Sequence, residues 1–202
     1  MFTVNELNGK TPIHRQSNYG NLINWKELEG LINLRPFMSN TRFQCTKDGD
    51  ISWPNKSWLT DVNTYPPQAI ETMLKKGTCY IVDCSRVNSK INNFCKMIED
   101  MTNAPTDAHI YFSQVKESSF GKHSDKSANI IIQQEGKSHI KVWRKNGKQV
   151  QDFEMWGGDM VFVPSLCPHE IIPLTNRISI SFPIAFGHKD IQEREWVELC
   201  TN

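Results

Sequence analysis

Hydrophobic and polar positions follow different periods in the two halves of the chain. In the first half, apolar residues recur three and four positions apart, which is the spacing of an amphipathic helix. The clearest series consists of Ile91, Phe94, Cys95, Ile98 and Met101. Shorter helices are predicted for residues 24–34 and 68–76, and TCYIVDC, from Thr78, is predicted to be a strand. This half therefore predicts short helices mixed with strands.

Capping residues mark the ends of the two shorter predicted helices. Asn24 can cap the first helix, and Glu27 stands where a capping-box acid belongs. Pro66 and Pro67 introduce the second helix, and Gly77 is expected to stop it.

From about residue 109 the pattern changes to short apolar or alternating runs separated by turn residues. The runs are HIYFSQV from His109, ANIIIQQ from Ala128, SHIKVWRK, QVQDFEM, MVFVPS, HEIIPL and RISISFPI. Glu135-Gly136 is predicted to be a turn, and Asn146-Gly147 is a strong hairpin signal. Roughly seven short strands without βαβ alternation predict an antiparallel sandwich or barrel.

Composition narrows the class of protein. The 202 residues suit one domain, and 23 Lys and Arg against 22 Asp and Glu lack the basic surplus typical of general nucleic-acid binding. No apolar run has the length of a membrane span, and MFTVNELNGK has no signal-peptide core. The six cysteines form no C-x-x-C pair and no zinc-finger spacing. We therefore expect a soluble, cytoplasmic protein with free thiols.

Three residues of the second half form a candidate metal site. His123 and Asp125 stand two apart just before an apolar strand, so both side chains can point to one face. Later, GDMVFVPSLCPH brings His169 to the start of another predicted strand. Two imidazoles and one carboxylate are the ligand set of non-haem Fe(II) enzymes, which leaves positions open for a substrate and dioxygen.

An ordinary explanation exists for each of these residues alone, because isolated H-x-D pairs are common on protein surfaces. Their order, followed by a β-rich segment and a distal histidine, favours the metal site. The remaining histidines are expected to have surface or packing roles. They are His14, His109, His139 and His188.

GKHSDKSANIIIQQEGKSHIKVW and GDMVFVPSLCPHEI together resemble the Jumonji-C-like branch of the cupin superfamily, over about residues 105–185. The resemblance implies a mainly β (α+β) fold, with a double-stranded β-helix, or jelly roll, behind an N-terminal mixed flank. We expect a single domain over 1–202. Its parts are the flank at 1–105, the β-helix core at 106–186 and a C-terminal tail at 187–202.

The resemblance also implies cofactors and their residues. His123, Asp125 and His169 would bind Fe(II), with 2-oxoglutarate as cosubstrate, and Asn129 matches a position that often contacts that cosubstrate. Tyr111 is a further candidate for the cosubstrate pocket, although a strand aromatic is more often part of the core.

One position departs from the family pattern. Many members have a lysine that pairs with the distal carboxylate of 2-oxoglutarate, and an ungapped match puts Ser138 there, beside Lys137. Arg177 and Ser179, on one face of the alternating strand RISISF, resemble the carboxylate-binding pair of other branches of the oxygenase superfamily. A guanidinium fork matches a carboxylate. The alternative is that this strand lies at a sheet edge and Arg177 faces solvent.

The function implied is that of an Fe(II)- and 2-oxoglutarate-dependent dioxygenase. It would act as a hydroxylase, or as a demethylase by the same chemistry, and use dioxygen on a protein side chain or a small molecule. Two alternatives stay open: a cupin-type metalloenzyme of another class, such as an isomerase or another dioxygenase, and a non-catalytic β-barrel binding module. The substrate and the oligomeric state are not indicated by the sequence.

Overall fold

We analysed a computed structural model, which describes residues 1–34, 42–47, 49–50, 59–61, 64–114, 116, 119–144 and 148–186. The helices are α1 (Val4–Leu7), α2 (Trp25–Ile32), α3 (Pro67–Leu74) and α4 (Ser89–Thr102). The strands of the first half are β1 (Ile13–Gln16), β2 (Phe43–Thr46) and β3 (Thr78–Ile81). Those of the second half are β4 (His109–Ser113), β5 (Ala128–Glu135), β6 (Lys137–Trp143), β7 (Gln149–Trp156), β8 (Asp159–Val163), β9 (His169–Pro173) and β10 (Arg177–Ile184).

Helices α2, α3 and α4 form where the sequence predicts helices, whereas the short helix α1 was not predicted. Asn24 caps α2 and forms the expected capping box with Glu27. In α3, Pro67 occupies the first turn, where its missing N–H costs nothing. The long helix α4 buries the predicted apolar stripe and ends at Asn103, which has a left-handed backbone conformation. None of the described helices combines the length and the apolar composition that a membrane crossing requires.

The strands form two antiparallel sheets that face each other. The larger sheet has seven strands in the order β1-β8-β5-β10-β4-β3-β2, and the smaller sheet has three in the order β7-β6-β9. The jelly-roll fold expected from the resemblance is confirmed, and the seven strands β4–β10 fall within the predicted segment. Strands β1, β2 and β3 of the N-terminal flank also join the larger sheet, and the proposed boundary at residue 105 stays a prediction.

Strand β10 lies in the middle of the larger sheet, between β4 and β5. Ile178, Ile180 and Phe182 pack into the main core, among the residues contributed by the helices. Arg177 and Ser179 lie on the other face of the strand and are also buried. The alternative interpretation of β10 as an edge strand with a solvent face was therefore wrong, because β10 has a neighbouring strand on each side and both of its faces are covered.

A second, smaller apolar cluster fills part of the space between the sheets. It consists of Ile131, Ile140, Val142, Met155, Val161, Val163 and Cys167. The chain passes from the larger to the smaller sheet at the predicted Glu135-Gly136 turn, where Gly136 has φ of 71° and a Cβ would lie 1.9 Å from the Asn176 carbonyl oxygen. Only glycine fits this crossing. The five described cysteines are free, as expected.

Some sequence predictions concern residues outside the described ranges. These are the Asn146-Gly147 turn, His188, Cys200 and the tail 187–202. The two strands that flank the turn, β6 and β7, pair antiparallel as predicted.

Candidate active site

Two distant segments meet through a pair of backbone hydrogen bonds. The His123 N–H donates to the His169 carbonyl oxygen at 3.0 Å, and the His169 N–H donates to the His123 carbonyl oxygen at 2.8 Å. This short antiparallel bridge joins the loop before β5 to the first residue of β9. It brings the His123, Asp125 and His169 side chains together, with one ligand atom of each within 4.8 Å of the others. We call these three residues the metal triad.

Both imidazoles of the metal triad are oriented by the same kind of contact. The Nδ1 of His123 lies 3.0 Å from the Gly121 carbonyl oxygen, and the Nδ1 of His169 lies 3.1 Å from the Cys167 carbonyl oxygen. Because a carbonyl only accepts, each Nδ1 carries the proton and each Nε2 presents a lone pair. Those Nε2 atoms lie 3.9 and 3.6 Å from the Asp125 carboxylate oxygens.

The electrostatic environment also suits a cation. Burial lowers the pKa of His169, partly opposed by the Asp125 carboxylate, so the ring is neutral and able to bind a metal at neutral pH. The Asp125 side chain is 40% exposed, which leaves the triad accessible from one side. Two imidazole donors, one carboxylate and an open side fit a divalent metal such as Fe(II).

Asn129 contacts Asp125 in this structure. Its amide nitrogen lies 2.7 Å from Asp125 Oδ2, and its carbonyl oxygen accepts a hydrogen bond from Ser181 at 3.0 Å. The role of Asn129 as a cosubstrate contact stays a prediction, and in this structure its amide group is engaged by the carboxylate of the metal triad.

Arg177 is a buried cation without an acidic partner among the described residues. It is 1% exposed, one of its terminal nitrogens donates to Ser179 Oγ at 2.8 Å, and its Nε has no hydrogen-bond partner in the part of the chain that the structure describes. Burial lowers its pKa to about 10, which still leaves the guanidinium charged at neutral pH. An unneutralised buried charge is unfavourable, so this site fits an anionic group supplied by a ligand.

A single cavity of about 240 Å³ connects the metal triad with Arg177 and Ser179. It lies between the two sheets, and all seven predicted site residues except Asn129 line it. Tyr111 forms part of its wall and stacks on Tyr80 with ring centroids 5.4 Å apart. We call the part around the triad the metal end and the part around Arg177 and Ser179 the anchor end.

The lysine alternatives lie elsewhere. Ser138, at the position where many relatives have the lysine, is fully buried and donates to the Gln133 side chain at 3.0 Å. The Lys137 ammonium lies 3.3 Å from the centroid of the Trp156 ring and does not line the cavity. Arg177 is therefore the cation that faces the cavity.

Sequence reasoning missed several residues of the cavity wall, and four of them have side chains that can shape the site. These are Gln44, Tyr80, His109 and Phe120. His109 was expected to be an ordinary histidine, yet it is 5% exposed, and burial lowers its pKa to about 4. Strand alternation could have found it, because His109 and Tyr111 are two apart on β4 and share a face.

A larger depression of about 1110 Å³ shares no lining residue with this cavity. It is bordered by residues 7–12, by parts of β7 and β8 and by Phe186. It contains no residue of the metal triad, so the smaller cavity is the one with the chemistry of an active site.

The fold and the metal triad define an antiparallel jelly-roll protein with a two-histidine, one-carboxylate site. A family model described as the JmjC domain matches residues 81–193, more than half of the chain, and the chain belongs to this family. The chain has no significant match among curated proteins.

Solved structures of YcfD, a ribosomal oxygenase from Escherichia coli, are similar. The complex with cobalt and 2-oxoglutarate gives a TM-score of 0.65 at 19% identity, and the match covers 93% of this chain and 50% of that chain. The complex with cobalt and succinic acid gives a TM-score of 0.62 at 19% identity over the same shares. The chain thus spans about half the length of the YcfD chains, and the likeness at this identity shows the shared fold.

Proposed function

We propose that the protein is an Fe(II)- and 2-oxoglutarate-dependent oxygenase. The observation that carries this proposal is Arg177, a buried cation with no acidic partner among the described residues, in the same cavity as a two-histidine, one-carboxylate triad that is open on one side. A ligand that satisfies both ends must bind a metal at one end and carry an anionic group at the other. 2-Oxoglutarate has a metal-chelating 2-oxo acid at one end and a carboxylate at the other.

The division of roles follows from the side chains. The Nε2 atoms of His123 and His169 and the Asp125 carboxylate would hold Fe(II), and Arg177 with Ser179 would bind the distal carboxylate by charge-assisted hydrogen bonds. When bound, Fe(II) and 2-oxoglutarate supply the oxidising chemistry, in which dioxygen oxidises a substrate C–H bond while 2-oxoglutarate becomes succinate and carbon dioxide.

The residues of the cavity wall would select the ligand that enters and orient it. Tyr80, Tyr111 and Phe120 form an aromatic cluster with ring centroids 5.3 to 6.0 Å apart, and this cluster limits the water that can reach the anchor end. Strand β10 runs from the anchor end toward the metal end, because Ser179 contacts Arg177, and Ser181, one same-face step or roughly 7 Å further along, contacts Asn129 beside Asp125. That step suits a short dicarboxylate lying along β10.

We infer that the substrate is a protein side chain, with a small molecule as the alternative. The similar YcfD structures are described as a ribosomal oxygenase, which favours a protein of the translation machinery and a cytoplasmic location. Hydroxylation of carbon is the direct outcome, and a hydroxylated N-methyl group breaks down, so demethylation is the same reaction on a different substrate.

Anaerobic metal and cosubstrate binding tests the proposal. Purified protein mixed with Fe(II) and 2-oxoglutarate without oxygen should develop a weak visible charge-transfer band, and Asp125→Ala should not. Addition of oxygen should then release succinate. Metal binding without the band or succinate would favour a cupin-type enzyme of another class, and no metal binding at all would favour a binding module. Either result would contradict the proposal.

A further inference from the structure

The Asp125 carboxylate is held by a chain of two hydrogen bonds from β5 and β10. The Ser181 hydroxyl donates to Asn129 Oδ1 at 3.0 Å, and Asn129 Nδ2 donates to Asp125 Oδ2 at 2.7 Å. Asn129 and Ser181 are 4% and 8% exposed, whereas the Asp125 side chain is 40% exposed. A rigid, buried pair therefore reaches out to a carboxylate that solvent alone would leave free to rotate.

The chemistry of the groups fixes the direction of this chain. An ionised carboxylate only accepts hydrogen bonds, so the amide of Asn129 must turn its NH₂ group toward Asp125. Its carbonyl oxygen then faces Ser181, whose hydroxyl is a donor. The short bond to an ionised acceptor is of the strong, charge-assisted kind.

The contact distinguishes the two oxygens of Asp125. Both oxygens lie near the imidazoles, Oδ2 at 3.6 Å from Nε2 of His169 and Oδ1 at 3.9 Å from Nε2 of His123, but only Oδ2 accepts the Asn129 hydrogen bond, and Oδ1 accepts none among the described residues. A carboxylate that bound a metal through both oxygens would occupy one more coordination position. The proposed reaction needs three open positions, two for the 2-oxo acid and one for dioxygen.

We propose that Asn129 and Ser181 act as positioning residues that hold Asp125 so that it binds the metal through Oδ1 alone. This inference rests on the proposed function and deepens it. Asn129 would then act on the metal end through Asp125, instead of serving mainly as a cosubstrate contact. Ser181 would act on the metal end only through Asn129.

Cobalt(II) is the probe, because its affinity and its visible spectrum can be measured without turnover. Asn129→Leu removes both hydrogen bonds at similar volume and should weaken Co(II) affinity about tenfold. It should also change the intensity of the Co(II) absorption bands as the carboxylate becomes free to bind through both oxygens. Ser181→Ala should weaken the affinity less, and Ser181→Thr, which keeps the hydroxyl, should restore it.

A double variant separates a relay from two independent effects. If Ser181 acts through Asn129, the double variant Asn129→Leu/Ser181→Ala should bind Co(II) no more weakly than Asn129→Leu alone. Fully additive losses, or Co(II) affinity and spectrum unchanged in both single variants, would overturn the inference. If Asn129→Leu does not fold, Ser181→Ala is compared with Ser181→Thr. An unchanged Co(II) affinity and spectrum in Ser181→Ala would then overturn the inference.

Ser179→Ala is the matched control. It removes a buried hydroxyl from the same face of the same strand, one step from Ser181. It should leave the affinity and spectrum of Co(II) unchanged and weaken only 2-oxoglutarate binding. Failure of the unmodified protein to bind Co(II) and 2-oxoglutarate would contradict the proposed function. Binding by the unmodified protein, with Co(II) affinity and spectrum unchanged in the variants, would contradict only the positioning role.

Discussion

The two ends of the cavity differ in how they are built. At the metal end, His123 and Asp125 come from a loop and have side chains 33% and 40% exposed. At the anchor end, Arg177 and Ser179 lie on the central strand of the larger sheet and are 1% exposed each. The accessible end depends on side-chain hydrogen bonds for its geometry, and the buried end depends on the sheet itself.

The ends also differ in charge, and the difference explains why both need a ligand. The metal end brings one carboxylate and two imidazoles together, which favours a bound cation. The anchor end keeps a guanidinium charged and unpaired by acid within the described part of the chain, which favours a bound anion. Each end is therefore incomplete without its ligand, and each can be altered by substitution without changing the other.

Removal of the carboxylate should break the metal end and spare the anchor end. Asp125→Ala leaves two neutral donors, so we expect Co(II) affinity to fall by more than about 100-fold. Titration calorimetry with Co(II) measures this loss. Arg177→Met is the matched variant at the other end and should keep its Co(II) affinity. Equal losses in the two variants would show that the ends are not independent.

Removal of the Arg177 cation should break the anchor end and spare the metal end. Arg177→Met should weaken 2-oxoglutarate binding to the Co(II)-loaded protein by about 100-fold, since a buried charged pair contributes roughly 3 kcal/mol. The free energy of unfolding of the ligand-free protein should stay the same or rise, because an uncompensated buried charge disappears. Calorimetry measures the 2-oxoglutarate affinity, and urea unfolding measures the free energy of unfolding.

The control for this variant is a lysine that the resemblance also suggested. Lys137→Ala removes a cation that lies over Trp156, outside the cavity. It should leave 2-oxoglutarate affinity unchanged. If Lys137→Ala and Arg177→Met weaken binding equally, Arg177 is not the carboxylate anchor.

The metal end could be predicted from the sequence because its residues stand in short sequence patterns that can be recognised without the structure. His123 and Asp125 are two apart, and His169 follows a Gly-to-Pro strand pattern that is characteristic in itself. What the sequence does not contain is the backbone bridge between His123 and His169, since that pairing depends on the way two sheets face each other.

The anchor end could not be decided in the same way. The alternation of Arg177 and Ser179 with isoleucines is the same for a solvent-facing edge strand and for a central strand. Only the neighbours β4 and β5 and the smaller sheet above them show that the polar face is enclosed. Alternation on β4 places His109 on the same face as Tyr111, but its burial likewise depends on the way the sheets pack.

The buried imidazole of His109 should make the protein sensitive to acid. Burial lowers its pKa from 6.5 to about 4, against the opposing charges of Asp83 and Asp125. The unfolded chain therefore binds more protons than the folded protein between these values, and stability falls as the pH falls from about 6.5 toward 4. From pH 7 to pH 5 this group should cost about 2 kcal/mol.

His109→Gln keeps a polar side chain that does not titrate and should remove that part of the loss. Urea unfolding of the metal-free wild-type protein and the variant at pH 7 and pH 5 measures it. Burial also lowers the pKa of His169, so the variant should keep some acid sensitivity. An identical pH dependence in the two proteins would mean that His109 titrates normally in the folded state.

The smallest expected effect concerns the hydroxyl that orients the anchor. Ser179 Oγ accepts from Arg177 at 2.8 Å, so Ser179→Ala should loosen the guanidinium without removing its charge. One hydrogen bond contributes about 1 kcal/mol net, which predicts a fivefold-scale loss of 2-oxoglutarate affinity. Ser138→Ala, a buried serine bonded to Gln133 and outside the cavity, should cause none. Because Ser179 acts on the ligand together with Arg177, its loss should nearly vanish in an Arg177→Met background, and an undiminished loss there would mean that the hydroxyl binds the carboxylate on its own.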